Sequence, residues 1–285
     1  MDHILRAGIP SISEYRSLVE TKGFKSLECY SDEFLSTNEE HLRAYMQKWV
    51  KDPLHQWSRQ WEYPYVYENA KAELQTDQET RVLDAGSGVT FFSYYLNSEF
   101  ESIQVHACDY DKTLLNTYAQ INQQSNQSVE FAHADLRSLP YDNDWFDLVY
   151  CISVLEHTDE YETIIKEFSR VLRPGGKLIV TFDVSLDGRH QIAVGKGTKL
   201  LAALAREFEV EPSLSLDLES HVVAPTIFTT LTANEINPAL LPWKSPSSLS
   251  RIKSMLTPGA PSSWPPALTV FCLEVTKASN EIEPN

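Results

Sequence analysis

The stretch Arg81-Val-Leu-Asp-Ala-Gly-Ser-Gly88 determines how the surrounding sequence is interpreted. Its first five residues form a short apolar run typical of a buried strand, and its two glycines allow the backbone to turn sharply and to approach a ligand closely. From there to about residue 210, short apolar runs alternate with amphipathic stretches. This alternation is typical of repeated β-α units, so we predict an α/β fold built on a parallel sheet.

Further strands are predicted after the first one, because each is a short apolar run bounded by polar residues. They cover residues 103–108, 129–134, 146–152, a segment beginning at Lys177, and a closing strand at 268–275. Between the strands at 146–152 and Lys177, Asp159 is expected to cap a helix that Pro174-Gly-Gly176 ends. Polar and small residues gather where the strands end, and ligands of open α/β sheets bind at that edge.

The composition divides the chain into a cap and a core. Residues 1–75 are helix-like and rich in aromatic side chains, and we expect them to form an N-terminal helical cap. Residues 76–285 are expected to form the core. A Pro-rich insertion at about 211–266 precedes the closing strand, and its nine prolines make continuous helix unfavourable there.

The charge and the cysteines exclude several classes of protein. The chain has 285 residues, with 24 Lys and Arg against 40 Asp and Glu, which gives a formal net charge of −16. Phosphate and anionic lipid attract basic surfaces, so we expect neither a nucleic-acid partner nor a membrane partner. We find no signal-peptide pattern and no apolar run long enough for a membrane span. The four cysteines lack metal-ligand spacing, so we expect a cytoplasmic protein with reduced thiols and no metal site.

Two acidic residues sharpen the interpretation of the glycine turn. The third glycine of a dinucleotide fingerprint would fall at Phe91, so the sequence does not favour NAD or FAD. Asp109 lies 21 residues after Gly88, at a predicted strand end where a carboxylate accepts bonds from ribose hydroxyls. Asp135 ends the next strand and is placed to accept a bond from an adenine amino group. These features predict an adenosine pocket without a phosphate clamp.

An ordered set of motifs resembles the class I S-adenosylmethionine-dependent methyltransferases. The segments are Val82-Leu-Asp-Ala-Gly-Ser-Gly88, His106-Ala-Cys-Asp-Tyr-Asp111, Ala134-Asp-Leu-Arg-Ser-Leu-Pro140, Phe146-Asp-Leu-Val149, Ser153-Val-Leu-Glu-His157 and Leu172-Arg-Pro-Gly-Gly-Lys-Leu178. The resemblance covers roughly residues 70–210 and the terminal strand. It implies a Rossmann-like, seven-stranded, mostly parallel sheet flanked by helices, and S-adenosyl-L-methionine as the cofactor, with S-adenosyl-L-homocysteine as its product.

The resemblance also implies roles for individual residues. Gly86, Ser87 and Gly88 would line the methionine and ribose parts of the cofactor, and Asp84 would anchor their turn. Asp109 would hold the ribose.

The remaining cofactor contacts implied by the resemblance follow the other strands. Tyr110 would lie against the adenine, Asp135 and Leu136 would bind the adenine edge, and the Cys151 backbone would face the amino-acid moiety. Thr90 stands where the family often has a third glycine.

Candidates for catalysis and for closing the pocket lie in two further segments. Glu156 and His157, just past the fourth predicted strand, are candidate general bases if the acceptor needs one. In the cap, Trp57 and Trp61 are four residues apart, on a helix that Pro64 is expected to end. The tryptophans either pack the cap onto the sheet or help to close over the cofactor.

A cation in the same cap segment is a further cofactor candidate. Arg59 is placed to pair with the cofactor's carboxylate.

The predicted function is transfer of a methyl group to an oxygen or nitrogen atom of a small-molecule acceptor, such as a natural product or a sugar. Three alternatives stay open: a non-catalytic subunit that binds S-adenosylmethionine, an aminopropyl or other alkyl transferase on the same fold, and a methyltransferase acting on protein. The sequence does not decide between a monomer and a homodimer.

Overall fold

The computed structural model describes residues 5–49, 51–189, 192–224, 226–243 and 264–279. Its helices are α1 (Ile12–Val19), α2 (Lys22–Thr37), α3 (Glu39–Lys48), α4 (Arg59–Leu74), α5 (Phe92–Glu99), α6 (Leu114–Gln124), α7 (Tyr161–Val171), α8 (Val194–Glu207), α9 (Glu219–Val222) and α10 (Thr230–Ile236). Its strands are β1 (Thr80–Ala85), β2 (Ile103–Asp109), β3 (Glu130–His133), β4 (Phe146–Ile152), β5 (Leu172–Ser185), β6 (Ile192–Ala193) and β7 (Leu268–Thr276).

These strands form one seven-stranded sheet in the order β3-β2-β1-β4-β5-β6, with β7 paired to β5. All pairs are parallel except β5 with β7. The predicted Rossmann-like fold class is therefore confirmed. The strand order reverses between β1 and β4, and in open α/β sheets the crevice above such a reversal is where ligands bind.

The N-terminal helices pack against the sheet through one continuous apolar core. Trp61, Tyr65 and Val66 of α4 are buried in the same cluster as Val82 of β1 and Ile179 of β5. α4 therefore covers a face of the sheet as well as capping its edge. The division into a cap (1–75) and a core (76–285) stays a prediction.

The prediction that Pro64 ends the cap helix is wrong. α4 continues from Arg59 to Leu74 with Pro64 inside it. The proline removes one backbone donor near the start of the helix, and burial of the residues around it outweighs that loss.

Two other local predictions also differ from the structure. Asp159 does not cap α7, whose N-cap is Glu160, and Asp159 pairs instead with Lys196. β5 begins at Leu172, directly after α7, so the sheet incorporates Pro174-Gly-Gly176.

The described parts of the Pro-rich insertion contain only short helices, α9, α10 and a 3-10 turn at Pro238–Leu240, as the prolines predict. Residues 225 and 244–263 of the insertion lie outside the described residues. Within the described ranges, no helix combines the length and the apolar character that crossing a bilayer requires.

Candidate active site

A cavity of about 370 Å³ opens at the carboxyl ends of β1, β2 and β4. Residues from the cap close it from the other side, so both parts of the chain contribute to its wall. Its lining includes many of the predicted site residues. Those are Arg59, Asp84, Gly86, Ser87, Gly88, Asp109, Tyr110, Leu136 and His157.

The turn after β1 has a backbone that requires glycine. Gly86 and Gly88 have φ angles of +77° and +53°, in the left-handed region that side chains disfavour. A Cβ on Gly86 would lie 2.7 Å from a methyl of Val154, on the loop after β4. The Cys108 carbonyl of β2 accepts hydrogen bonds from the Gly86 and Ser87 backbone amides, at 2.9 and 3.0 Å. The sheet therefore holds the turn in place while one side of it faces the cavity.

Asp84 anchors this turn to the following helix. Its Oδ2 accepts a hydrogen bond of 2.5 Å from Ser93 Oγ of α5, and Tyr150 of β4 is 3.0 Å from the same hydroxyl. Burial raises the pKa of Asp84 to about 7. The carboxyl group therefore changes charge near neutral pH. Asp84 has the anchoring position that the resemblance implies, and it also forms part of the cavity wall.

Asp109 lies at the end of β2 with both carboxylate oxygens engaged by backbone. Oδ2 accepts from the Gly88 amide at 3.0 Å, and Oδ1 accepts from the Asp111 amide at 2.8 Å. Each carboxylate oxygen has a second lone pair, so the group can still accept bonds from a ribose. Tyr110 beside it is 74% exposed at the cavity mouth, so its ring is free to lie against a ligand.

Helix α3 contributes a wall that the sequence did not reveal. The Tyr45 hydroxyl lies against Gly88 and is hydrogen-bonded to the Val89 backbone, and burial raises the pKa of Tyr45 to about 12. Lys48 Nζ pairs with Asp111 Oδ2 at 2.8 Å. No local pattern predicts these contacts, because they join residues more than forty positions apart.

Arg59 reaches the cavity from the start of α4. It donates to Ser153 Oγ at 2.5 Å and forms an ion pair with Glu62, whose side chain is fully buried. Glu62 Oε1 also accepts from Ser153 Oγ at 2.7 Å and from Thr181 Oγ1 at 2.5 Å. Burial alone would lower the pKa of Arg59, but the charge of Glu62 raises it above its usual value, so the guanidinium stays charged. The sequence did not indicate Glu62 as a residue of the site.

The two candidate bases have different environments. His157 lines the cavity, and burial together with the charge of Arg59 lowers its pKa, so the imidazole is neutral near pH 7. Glu156 is 6% exposed and lies behind the cavity lining. Burial raises its pKa to about 7. Of the two, His157 has the position and the protonation state that a direct base needs.

Three of the predicted cofactor residues lie away from the described lining of the cavity. The Asp135 carboxylate is held by Arg137, which also holds the pKa of Asp135 at about 2. The Cys151 side chain is fully buried in the sheet, and the two residues after it reach the cavity. Trp57 is buried against Phe228, with 6.1 Å between ring centroids, so it packs the cap onto the core.

Comparison with known proteins assigns residues 83–180 to a family described as a methyltransferase domain. A demethylmenaquinone methyltransferase of Deinococcus radiodurans is 29% identical over 111 residues, which are 39% of this chain and 46% of that protein. A sarcosine/dimethylglycine N-methyltransferase of Halorhodospira halochloris is 30% identical over 115 residues, 40% of this chain and 41% of that protein. The chain thus spans less than half the length of these curated relatives.

Among solved structures, an S-adenosylmethionine-dependent methyltransferase from Mesorhizobium loti matches 74% of this chain and 97% of its own, with a TM-score of 0.44 and 17% identity. The matched residues 83–180 begin within β1 and run into β5, so they contain the glycine turn and Asp109. Residues 83–180 therefore match a methyltransferase-domain family, and the sheet that contains them has the predicted Rossmann-like fold.

Proposed function

We propose that the protein transfers a methyl group from S-adenosylmethionine to an oxygen or nitrogen atom of a small-molecule acceptor by in-line displacement. The observation that carries this proposal is the single cavity that brings together the glycine turn, Asp109 and Arg59. These groups come from β1, β2 and α4, and they converge only in the folded chain.

The chemistry of the lining fits this cofactor. Asp109 offers oxygen acceptors to a ribose, and the charged guanidinium of Arg59 offers donors to a carboxylate. Tyr110 offers an exposed aromatic face to an adenine. When bound, S-adenosylmethionine supplies the activated methyl group, and the protein's contribution is to orient the reactants and exclude water.

The acceptor is proposed to be a small molecule, with a natural product or a sugar as examples. The curated relatives are named for demethylmenaquinone and for sarcosine and dimethylglycine, which are small molecules of different chemistry. Neutral His157 at the cavity wall is placed to take a proton from a hydroxyl or an amine.

Arg59 also bears on the aminopropyl alternative. A decarboxylated cofactor would have no carboxylate for the guanidinium that lines the cavity. The intact carboxylate-bearing cofactor is therefore the better chemical match.

Calorimetric titration with S-adenosylhomocysteine tests the pocket, and we expect saturable binding of one molecule per chain. A panel of hydroxyl and amine acceptors with S-adenosylmethionine then tests turnover, measured as S-adenosylhomocysteine formed. No binding at millimolar ligand would rule out the proposed cofactor site. Binding without turnover on any acceptor would favour a non-catalytic subunit.

Replacing Arg59 by Ala should weaken S-adenosylhomocysteine binding by roughly 10- to 100-fold, because a charge-assisted contact with the carboxylate is lost. Binding of 5′-methylthioadenosine, which lacks the amino-acid tail, should change by less than about threefold. Titration of both ligands into both proteins checks this expectation.

The matched control is Arg206→Ala, since Arg206 is an exposed arginine that pairs with Glu162 outside the cavity. Equal losses for the two ligands in the Arg59 variant would show that Arg59 supports the fold of the pocket and does not bind the carboxylate.

A further inference from the structure

Three acids and Arg59 form a buried group at the carboxyl ends of β4 and β5. Glu62 of α4, Glu156 after β4 and Asp183 of β5 are 0%, 6% and 8% exposed. Arg59 forms an ion pair with Glu62, and its charge also acts on Glu156 and Asp183. Three carboxyl groups beside one guanidinium leave an excess of acid in a place where water is excluded.

Two of these acids have oxygens without hydrogen-bond donors. Glu62 accepts bonds from Arg59, Ser153 and Thr181. In contrast, Glu156 Oε2 and Asp183 Oδ1 are buried with no partner, and Glu156 Oε1 accepts a long bond of 3.4 Å from the Asp183 amide. A buried acceptor without a donor is costly, and a proton held by the pair relieves that cost.

The pKa values of the two carboxyl groups are both raised. Burial raises the pKa of Glu156 to about 7, and the charge of Glu62 acts in the same direction. Burial, and then the charges of Glu156 and Glu62, raise the pKa of Asp183 well above its usual value. The pair therefore gains negative charge as the pH rises through neutrality.

The position of the pair relates it to one part of the proposed cofactor. Ser153 and His157, on either side of Glu156 in the chain, both line the cavity. If Asp109 holds the ribose and Arg59 the carboxylate, the sulfur lies between them, since a short alkyl chain joins it to the carboxylate. This step rests on the proposed function.

We propose that Glu156 and Asp183 act together as an acidic pair whose negative charge favours binding of a cationic sulfonium over a neutral thioether in this cavity. The pair acts through space from behind the lining, where the low dielectric lets a charge act over several ångströms. The loaded cofactor carries the positive charge, and the demethylated product does not. Ionisation of the pair therefore favours retention of the cofactor relative to the product.

Several ionisable or charged groups from neighbouring elements surround the pair. They are Arg59 and Glu62 of α4, Cys151 of β4, His157 of the following turn, Cys272 of β7 and, at the cavity wall, Asp84. Burial raises the pKa of both thiols, so they stay neutral near pH 7. Asp84 also titrates near pH 7. The test therefore compares the wild type with variants of the pair and does not rely on a pH profile alone.

The experiment titrates S-adenosylmethionine and S-adenosylhomocysteine into the wild type, Glu156→Gln and Asp183→Asn at about pH 6 and about pH 8. In the wild type, we expect the preference for the sulfonium to rise by roughly three- to tenfold between these pH values. In both variants, this rise should fall to less than about twofold. Asp159→Asn, which alters a carboxylate that is 91% exposed, should behave like the wild type.

Proton release gives a second readout. Since a sulfonium favours the ionised pair, linkage requires that its binding release protons. Titrations near pH 7 in buffers of different ionisation enthalpy should show more release for S-adenosylmethionine in the wild type than in either variant. The α-amino group of the ligand contributes equally in all three proteins and cancels.

Several outcomes would overturn the inference. Suppose that both ligands bind, but the wild type and both variants show the same preference for S-adenosylmethionine and the same proton release. The charge of the pair then has no influence on which ligand is favoured. If neither ligand binds the wild type, the proposed function itself fails, and the inference fails with it. The ratio of the two affinities measured on one preparation does not depend on the fraction of the protein that is folded. Either variant alone is sufficient for the comparison with the wild type.

Discussion

Replacing Asp109 by Ala should weaken S-adenosylhomocysteine binding by roughly 30- to 150-fold, which corresponds to about 2–3 kcal/mol. The carboxylate has two functions that the substitution removes together. It is the proposed acceptor for the ribose hydroxyls, and it holds the Gly88 and Asp111 amides at 3.0 and 2.8 Å. Loss of these two bonds frees the turn that lines the cavity. Calorimetric titration of the variant gives the affinity directly.

Two companion variants separate these functions. Asp109→Asn keeps one oxygen acceptor and the size of the side chain, so we expect it to lose less affinity than Asp109→Ala. Glu101→Ala, an exposed acid before β2 at the other end of the strand, should bind as the wild type does. An Asp109→Ala protein that binds S-adenosylhomocysteine within about twofold of the wild type would remove Asp109 from the proposed site.

Replacing Gly86 by Ala should lower the free energy of unfolding by about 2–4 kcal/mol and also abolish most cofactor binding. A φ of +77° is unfavourable for alanine, and the new Cβ would lie 2.7 and 3.0 Å from the two methyls of Val154. Val154 is short and branched, so it cannot swing away as a long side chain could. Urea denaturation measures the change in stability.

Gly23→Ala is the matched control for this prediction. Gly23 lies in the first turn of α2, and nothing lies within 4 Å of the position its Cβ would occupy. Stability should stay the same or rise by about 0.4–1 kcal/mol. The double variant Gly86→Ala/Val154→Ala should recover the steric part of the loss only, and full recovery would show that backbone strain contributes nothing there.

The strands and the glycine turn could be predicted from the sequence because both depend on local patterns. The strand predicted at residues 146–152 is observed with the same bounds, and the closing strand at 268–275 is one residue longer in the structure. The position of Asp109 at the end of β2 could be predicted as well, because its spacing from the turn follows from the lengths of α5 and β2. Pro64 shows the limit of local rules, since its penalty inside α4 is outweighed by burial against the sheet.

The acids around Arg59 could not be predicted from the sequence. Glu62 meets Ser153 and Thr181 across 91 and 119 positions of the chain, and no spacing rule joins such residues. Trp57 and Asp135 show why residue type alone does not settle a site. Their residue types suit a ligand site, but packing buries the first and Arg137 engages the second.

By itself, the sequence determined the α/β fold and the glycine turn after the first strand, because periodicity and strand-end spacing encode both of them locally. Its ordered motifs also carry the resemblance to the methyltransferase-domain family that residues 83–180 match. The tertiary structure alone decided which side chains share the cavity. It placed the Tyr45 hydroxyl against Gly88 and paired Arg59 with Glu62. It also buried Glu156 and Asp183 behind the cavity lining. The physical reason is that the ionisation and the contacts of a side chain depend on its neighbours in space, and folding brings those neighbours from distant parts of the chain.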